Sequence, residues 1–344
     1  MASERQRPAP GRRGFLLGAF GLGLVVTSTA AGCSLTDPRI DTSGLKPRPI
    51  PTPSPTPSLP GSAAGADTEQ ALARLATAVL DSRDAARLGA QVRMLVGLVL
   101  ADHRDHVVAL RSPQPTSRPV PTGSPSPTTR TSPGTGAGKA ATALRRLVAG
   151  ERAAARLHRA AADATSGYTC LLWGSLAAAA GQYADALESG ARTAAPPKPQ
   201  QRRPLVPVTD LEAIQALLRQ SHAMVYGYQL ALGKLSGARA DRAAGRLAQH
   251  RVLRDRLVDL LNERSADVPA AEPAYVPPIE VSNASRAVVL LRLMETRFLP
   301  FVGQWVAAAA TGPTRSLALD ELSAATLSAR AWGAALQDWP GWPS

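Results

Sequence analysis

Cysteine is nearly absent from this chain of 344 residues, which has only Cys33 and Cys170. That excludes the disulfide frameworks that hold small secreted domains together. Aromatic residues make up only 4% and nowhere interleave with clustered Lys and Arg. The net charge of +13 is therefore not a nucleic-acid footprint, and no nucleic-acid partner is expected. Strand signals are missing too: there is no β-branched alternation and no Asn-Gly hairpin. This argues against the α/β architecture on which transport-type substrate-binding lipoproteins are built. Gly-rich phosphate loops, Gly-x-Ser-x-Gly elbows and paired Cys/His zinc spacings are likewise missing. The longest apolar run, Phe15 to Val26, falls short of the ~20 residues a membrane span requires.

That short run sits in an informative context. Arg12 and Arg13 precede Phe15 and Leu16, and this order resembles a twin-arginine export signal. The apolar run ends in small residues at Ala30-Ala31-Gly32-Cys33, which resembles a bacterial lipobox with Ala30 where Leu is usual. The expectation is a signal peptide over 1–32, cleavage before Cys33, and a diacylglyceryl group on its sulfur. Two acyl chains suffice for stable anchoring. Removal of the signal leaves 35 basic and 25 acidic residues, a balance of +10 that suits an anionic membrane surface. The chain is thus expected on the extracytoplasmic face of the cell membrane. Its partners would be the membrane itself, through Cys33, and a protein of the cell envelope.

Proline divides the remainder. Residues 33–66 contain KPRPIPTPSPTPSLPG, a Pro/Ser/Thr tether that cannot build a core. A second low-complexity stretch spans 113–138 and a third linker 192–208. Between these breaks Ala, Leu and Arg dominate, and apolar residues recur at spacings of three and four. The fold class expected is all-α: two four-helix bundles in tandem, over 67–191 and 209–342. Helices are predicted at 67–82, 85–111, 139–165 and 168–190, then at 209–235, 238–264, 283–310 and 314–337. Thr209 or Asp210, Ser282 or Asn283, and Pro313-Thr314 supply helix starts. Leu211, Ile214, Leu218, Val225 and Leu232 are expected on one core stripe. Asn283-Ala-Ser285 matches a glycosylation sequon, though a helix cap is the expected role. The Pro-rich loop 265–281 has the length of a crossover connection. Cys170, within YTCLLWGSL, reads as a small buried hydrophobe. Trp332, Trp339 and Trp342 are expected to fold back and cap a bundle.

Four ordered segments carry a resemblance: SHAMVYGYQLALGKL (221–235), QHRVLRDRLVDLL (249–261), PAYVPP (273–278) and LMETRFLPFVGQW (293–305). Together they resemble exported actinobacterial lipoproteins with ferritin-like domains of unknown function. The first unit looks like the divergent N-terminal half of such proteins. The resemblance implies a bundle whose metal-active relatives project carboxylates and Glu-x-x-His pairs inward to hold two iron or manganese ions.

Position by position, that pattern is broken. In the second unit Ser221 stands where a Glu is usual and His222 follows it. Leu247 precedes His250 by three, Glu295 lies on an apolar seam, and the last helix offers only Asp320 and Glu321. The pair His250 and Glu295 reads as a buried hydrogen-bonded couple, with Tyr226 or Tyr228 as a further member. In the first unit Asp102 and His106 share one seam, Glu151 and His158 another, and Gln182 and Asp185 stand three apart. Asp102, His106, Glu151, His158 and Asp185 form the candidate metal set. Their ordinary reading is a set of charge-assisted hydrogen bonds at a bundle end.

The expected function is a lipid-anchored, non-catalytic binding or scaffold module that has lost its metal centre and carries no cofactor. The alternative is a metal-binding or oxidase-type ferritin relative, using iron or manganese, with its ligands in the first unit. Export of already folded proteins by the twin-arginine route favours that alternative.

Overall fold

The structure is a computed structural model that describes residues 59–111, 138–190 and 205–343. Arg12, Arg13, Cys33 and nearly all of the expected tether and linkers lie outside these residues. Eight α-helices form the described architecture: α1 Ser62–Leu80, α2 Gly89–Arg111, α3 Lys139–Asp163, α4 Gly167–Ser189, α5 Asp210–Leu232, α6 Gly237–Glu263, α7 Ala284–Ala308 and α8 Gly312–Ala331. No strand occurs among the described residues, so the fold is an all-α helical bundle. No described helix is long and apolar enough to cross a membrane.

Local chemistry explains the helix ends. Thr209 and Glu212 form a reciprocal capping box on α5, satisfying two otherwise orphaned N–H groups. The Asn283 side chain accepts from the Arg286 N–H at 3.0 Å, so the sequon residue serves as a helix cap. The predicted end of α8 needs correction, since the helix stops at Ala331 and not at 337. Gly333 lies in the left-handed region at φ 88°, and its N–H donates to the Arg330 carbonyl while that of Ala334 donates to Ala329. This six-residue closure is the glycine stop of a Schellman motif.

The two halves repeat one packing order. α1 packs on α2 and α3, and α3 on α4; α5 packs on α6 and α7, and α7 on α8. The segment between Glu263 and Ala284 carries the chain from α6 to α7. The buried stripe of α5 runs through Ile214, Leu217, Leu218, Ser221, Val225 and Tyr228. It therefore lies to one side of the expected seam, and Leu211 is exposed.

α4 belongs to both halves. Its Leu171, Trp173 and Leu176 join the core that holds Trp305, Val306, Leu319 and Leu322. One turn or more further on, Tyr183, Ala184 and Leu187 join the core of Leu72, Leu95, Val99 and Leu147. A helix apolar around most of its circumference belongs at the centre of a protein. Gly174 brings α8 close, because a Cβ there would lie 2.4 Å from Leu319 Cδ2. The described residues of both halves accordingly fall within one compact unit.

Candidate metal centre

Three helices of the first half carry ionisable residues on seams that are otherwise apolar. On α1 the buried positions include Ala66, Glu69, Leu72, Ala76 and Val79. On α2 they include Val99, His103, His106 and Leu110, and on α3 Leu147, Glu151, Ala154, His158 and Ala162. Spacings of three and four place each polar residue in the core with its apolar neighbours. Glu69, His103, His106, Glu151 and His158 are all at most 1% exposed.

Glu69 is the hub. Its Oε2 accepts from His103 Nδ1 at 2.7 Å and from His106 Nδ1 at 2.8 Å, and its Oε1 accepts from His158 Nε2 at 2.7 Å. The second nitrogen of His103 donates to Glu151 Oε1 at 2.7 Å. The second nitrogen of His106 meets the Asp338 backbone carbonyl at 2.9 Å, which can only accept, so that nitrogen carries a proton. Burial alone would raise the Glu69 pKa, but the His106 charge and the imidazole hydrogen bonds hold it well below the usual carboxylate range. Burial disfavours the charged form of His103, yet Glu151 and Glu69 lift it to about 10. Burial works against His106 in the same way, and Glu69 again raises it. For Glu151, burial pushes the carboxyl upward against the pull of His103. Within this cluster two buried polar atoms, Glu151 Oε2 and His158 Nδ1, have no hydrogen-bond partner among the described residues. Buried acceptors left unpaired cost ~1–3 kcal/mol each, unless something supplies the missing contact.

The donor set fits a metal ion. One ligand atom each from Glu69, His103 and His106 lies within 4.8 Å of the others. Carboxylate oxygen combined with imidazole suits iron, manganese, cobalt or zinc. An all-oxygen calcium site would look different, as would a thiolate site for copper(I). The only described cysteine, Cys170, is buried and free, and burial pushes its thiol up to about 11.

Of the five residues singled out from sequence, His106, Glu151 and His158 meet in this cluster. Asp102 lies beside it and accepts from the Tyr183 hydroxyl at 2.8 Å, with its pKa raised by burial to about 6. Asp185 has to be removed from the set: it is more than half exposed and pairs with Arg330. Sequence reasoning missed Glu69 and His103. Both carried a signal, Glu69 as the lone acid on the α1 seam and His103 as the first member of a His-x-x-His pair with His106.

The second half has a buried carboxylate of another kind. Glu295 Oε1 accepts from His250 Nε2 at 3.0 Å, from Tyr228 at 2.5 Å and from Ser328 at 2.9 Å. Arg246 donates to both of its oxygens, at 2.9 and 3.2 Å, and to Glu321 at 2.8 Å. Burial opposes ionisation of Glu295, but the Arg246 guanidinium and His250 hold it well below the ordinary range. The expected His250–Glu295 couple is therefore present, with Tyr228 as its phenol. Tyr226 instead lies tilted against Tyr275 at the surface. Ser221 bonds back to the Leu217 carbonyl, and His222 reaches the Pro269 carbonyl. Arg246 was not legible, being one of many arginines on α6.

The C-terminal segment closes over the first half. Trp332 and Trp339 are buried, as expected of a capping tail. Trp332 donates to the Tyr228 hydroxyl at 3.0 Å, and Trp339 packs edge-on against His106 at 4.6 Å.

Residues 213–344 match a protein-family profile described as a domain of unknown function, DUF4439. A crystal structure of a conserved hypothetical protein from Mycobacterium tuberculosis is similar to part of this chain. Identity is 29%, over 36% of this chain and 93% of that one, with a TM-score of 0.35. No curated protein matches. The profile match covers α6 to α8 and most of α5, and does not reach Glu69, His103 or His106.

Proposed function

We propose that the chain is a lipid-anchored, extracytoplasmic ferritin-like protein that binds a divalent transition-metal ion in its first half. The carrying observation is the convergence of Glu69, His103 and His106 in an apolar core, with Glu151 and His158 against them and two buried polar atoms unpaired. Glu69, His103 and His106 would hold the ion, and Glu151 and His158 would supply adjacent donors. A bound ion would contribute Lewis acidity or redox capacity. The protein's own share is to fix the imidazoles, exclude water and balance charge. The Cys33 sulfur would carry the anchoring lipid, and export through the Arg12-Arg13 signal would deliver the bundle already folded.

The scaffold reading draws support from the second half, where Arg246 supplies the positive charge that an ion would otherwise bring to Glu295. Elemental analysis of the full chain, purified from a metal-replete host, decides between the two. About one iron, manganese, cobalt or zinc per chain, lost in Glu69→Gln and kept in Glu295→Gln, supports the metal reading. A cooperatively folded chain that takes up no metal on titration leaves the scaffold reading.

A further inference from the structure

The C-terminal segment that follows α8 is bound to the first-half centre by polar and apolar contacts that ordinary tail packing would not need. The Asp338 carbonyl accepts from His106 Nε2 at 2.9 Å. Gln182, on α4, donates to the Gln337 carbonyl and accepts from the Gln337 N–H at 3.2 Å. The Trp339 ring closes over His106, and Leu336 enters the core of the first half. The far end is seated on glycine. Gly341 lies at φ 88° against α7, and a Cβ on Gly303 would meet the Gly341 carbonyl oxygen at 2.0 Å and its Cα at 2.6 Å. At that distance backbone would overlap, so the segment can dock only while residue 303 lacks a side chain.

We infer that residues 333–343 are a strap by which the second half completes the first-half site: the Asp338 carbonyl orients His106, and Trp339 covers it. The inference rests on the metal reading above and adds the part played by the strap. The physical reason lies in the two imidazole nitrogens. A ligating histidine is aimed by the acceptor on its other nitrogen, and loss of that acceptor typically weakens metal affinity 10- to 100-fold. Here the acceptor on Nε2 is a backbone carbonyl more than 230 residues away in sequence. With that contact made, Nδ1 is held toward Glu69. Asp338 is thus a positioning residue, acting through its main chain.

The test uses the full chain and Gly303→Ala, which lifts the strap without touching a donor. Gly245→Ala, where a Cβ meets nothing, is the control. Co²⁺ affinity, the visible spectrum of bound Co²⁺ and the rate of His106 modification by diethyl pyrocarbonate are measured together. The expected result is a 10- to 100-fold loss of Co²⁺ affinity, a changed ligand-field spectrum and faster His106 modification in Gly303→Ala only. If Gly303→Ala does not fold, Gln182→Leu removes the two Gln182 bonds to Gln337 and serves in its place. Unchanged His106 modification and unchanged affinity in a folded variant would overturn the strap. If wild type binds no Co²⁺, the metal reading fails by itself, and His106 modification still decides whether the strap covers the site.

Discussion

Each half of this bundle buries a carboxylate at its centre, and the two are neutralised in different ways. Glu69 is met by three imidazoles, Glu295 by one imidazole and the Arg246 guanidinium. The Arg246 guanidinium is permanently charged and is held by bonds to Glu295, Glu321 and Gln249 in a fixed fork geometry. Its removal alone leaves a buried carboxylate without its counter-charge. Imidazoles can exchange a proton for a metal ion, so the Glu69 cluster is exchangeable where the Glu295 cluster is locked. The same fold, repeated, thus provides a candidate site in one half and a rigid partner in the other.

The largest effect should come from breaking the lock. Arg246→Met takes the guanidinium from Glu295 and leaves the buried carboxylate to His250, Tyr228 and Ser328, at a cost of about 3–5 kcal/mol, read as a lowered midpoint in urea. A loss under 1 kcal/mol would mean that the ion pair contributes little. Because the halves share α4, that loss should appear in a single cooperative transition. A first-half transition surviving alone would separate the halves.

Next comes metal. Glu69→Gln should lower Co²⁺ affinity by at least about 100-fold, since it removes the hub acceptor, whereas Glu295→Gln should leave it unchanged. Equal effects at the two sites would erase the distinction between them.

Acid should weaken the second half in a defined direction. The Glu295 pKa is depressed by Arg246 and His250, with Tyr228 and Ser328 also facing it. The unfolded carboxyl, near 4.5, therefore takes up a proton that the folded one refuses. Stability from this group is fully present above pH 4.5 and falls below it by about 1.4 kcal/mol per pH unit. In an Arg246→Met/Glu295→Leu background this component of the slope should vanish. That double replacement should itself be close to neutral. The smallest effect belongs to Gly245→Ala, an exposed mid-helix position, which should stabilise by roughly 0.5–1 kcal/mol.

Much of this molecule was legible in one dimension. Spacings of three and four fix the helices, and the caps at Thr209 and Asn283 stand where their side-chain chemistry places them. His106, Glu151 and His158 were visible as polar interruptions of apolar seams. Asp185 misled because a spacing of three from Gln182 says nothing about the direction the pair faces. Glu69 was overlooked although it interrupts a seam in the same way as Glu151. Arg246 could not be distinguished from its neighbours, because α6 carries six arginines and only one of them meets a buried acid.

The sequence by itself determined the helices, their apolar faces and the supply of imidazoles and carboxylates, because these follow from local periodicity and side-chain type. Tertiary structure alone decided which acid met three histidines and which met an arginine. It also decided that a carbonyl at 338 should aim a histidine at 106. Such contacts join positions far apart in the chain, and their geometry comes from how α4 and the strap pack the two halves together.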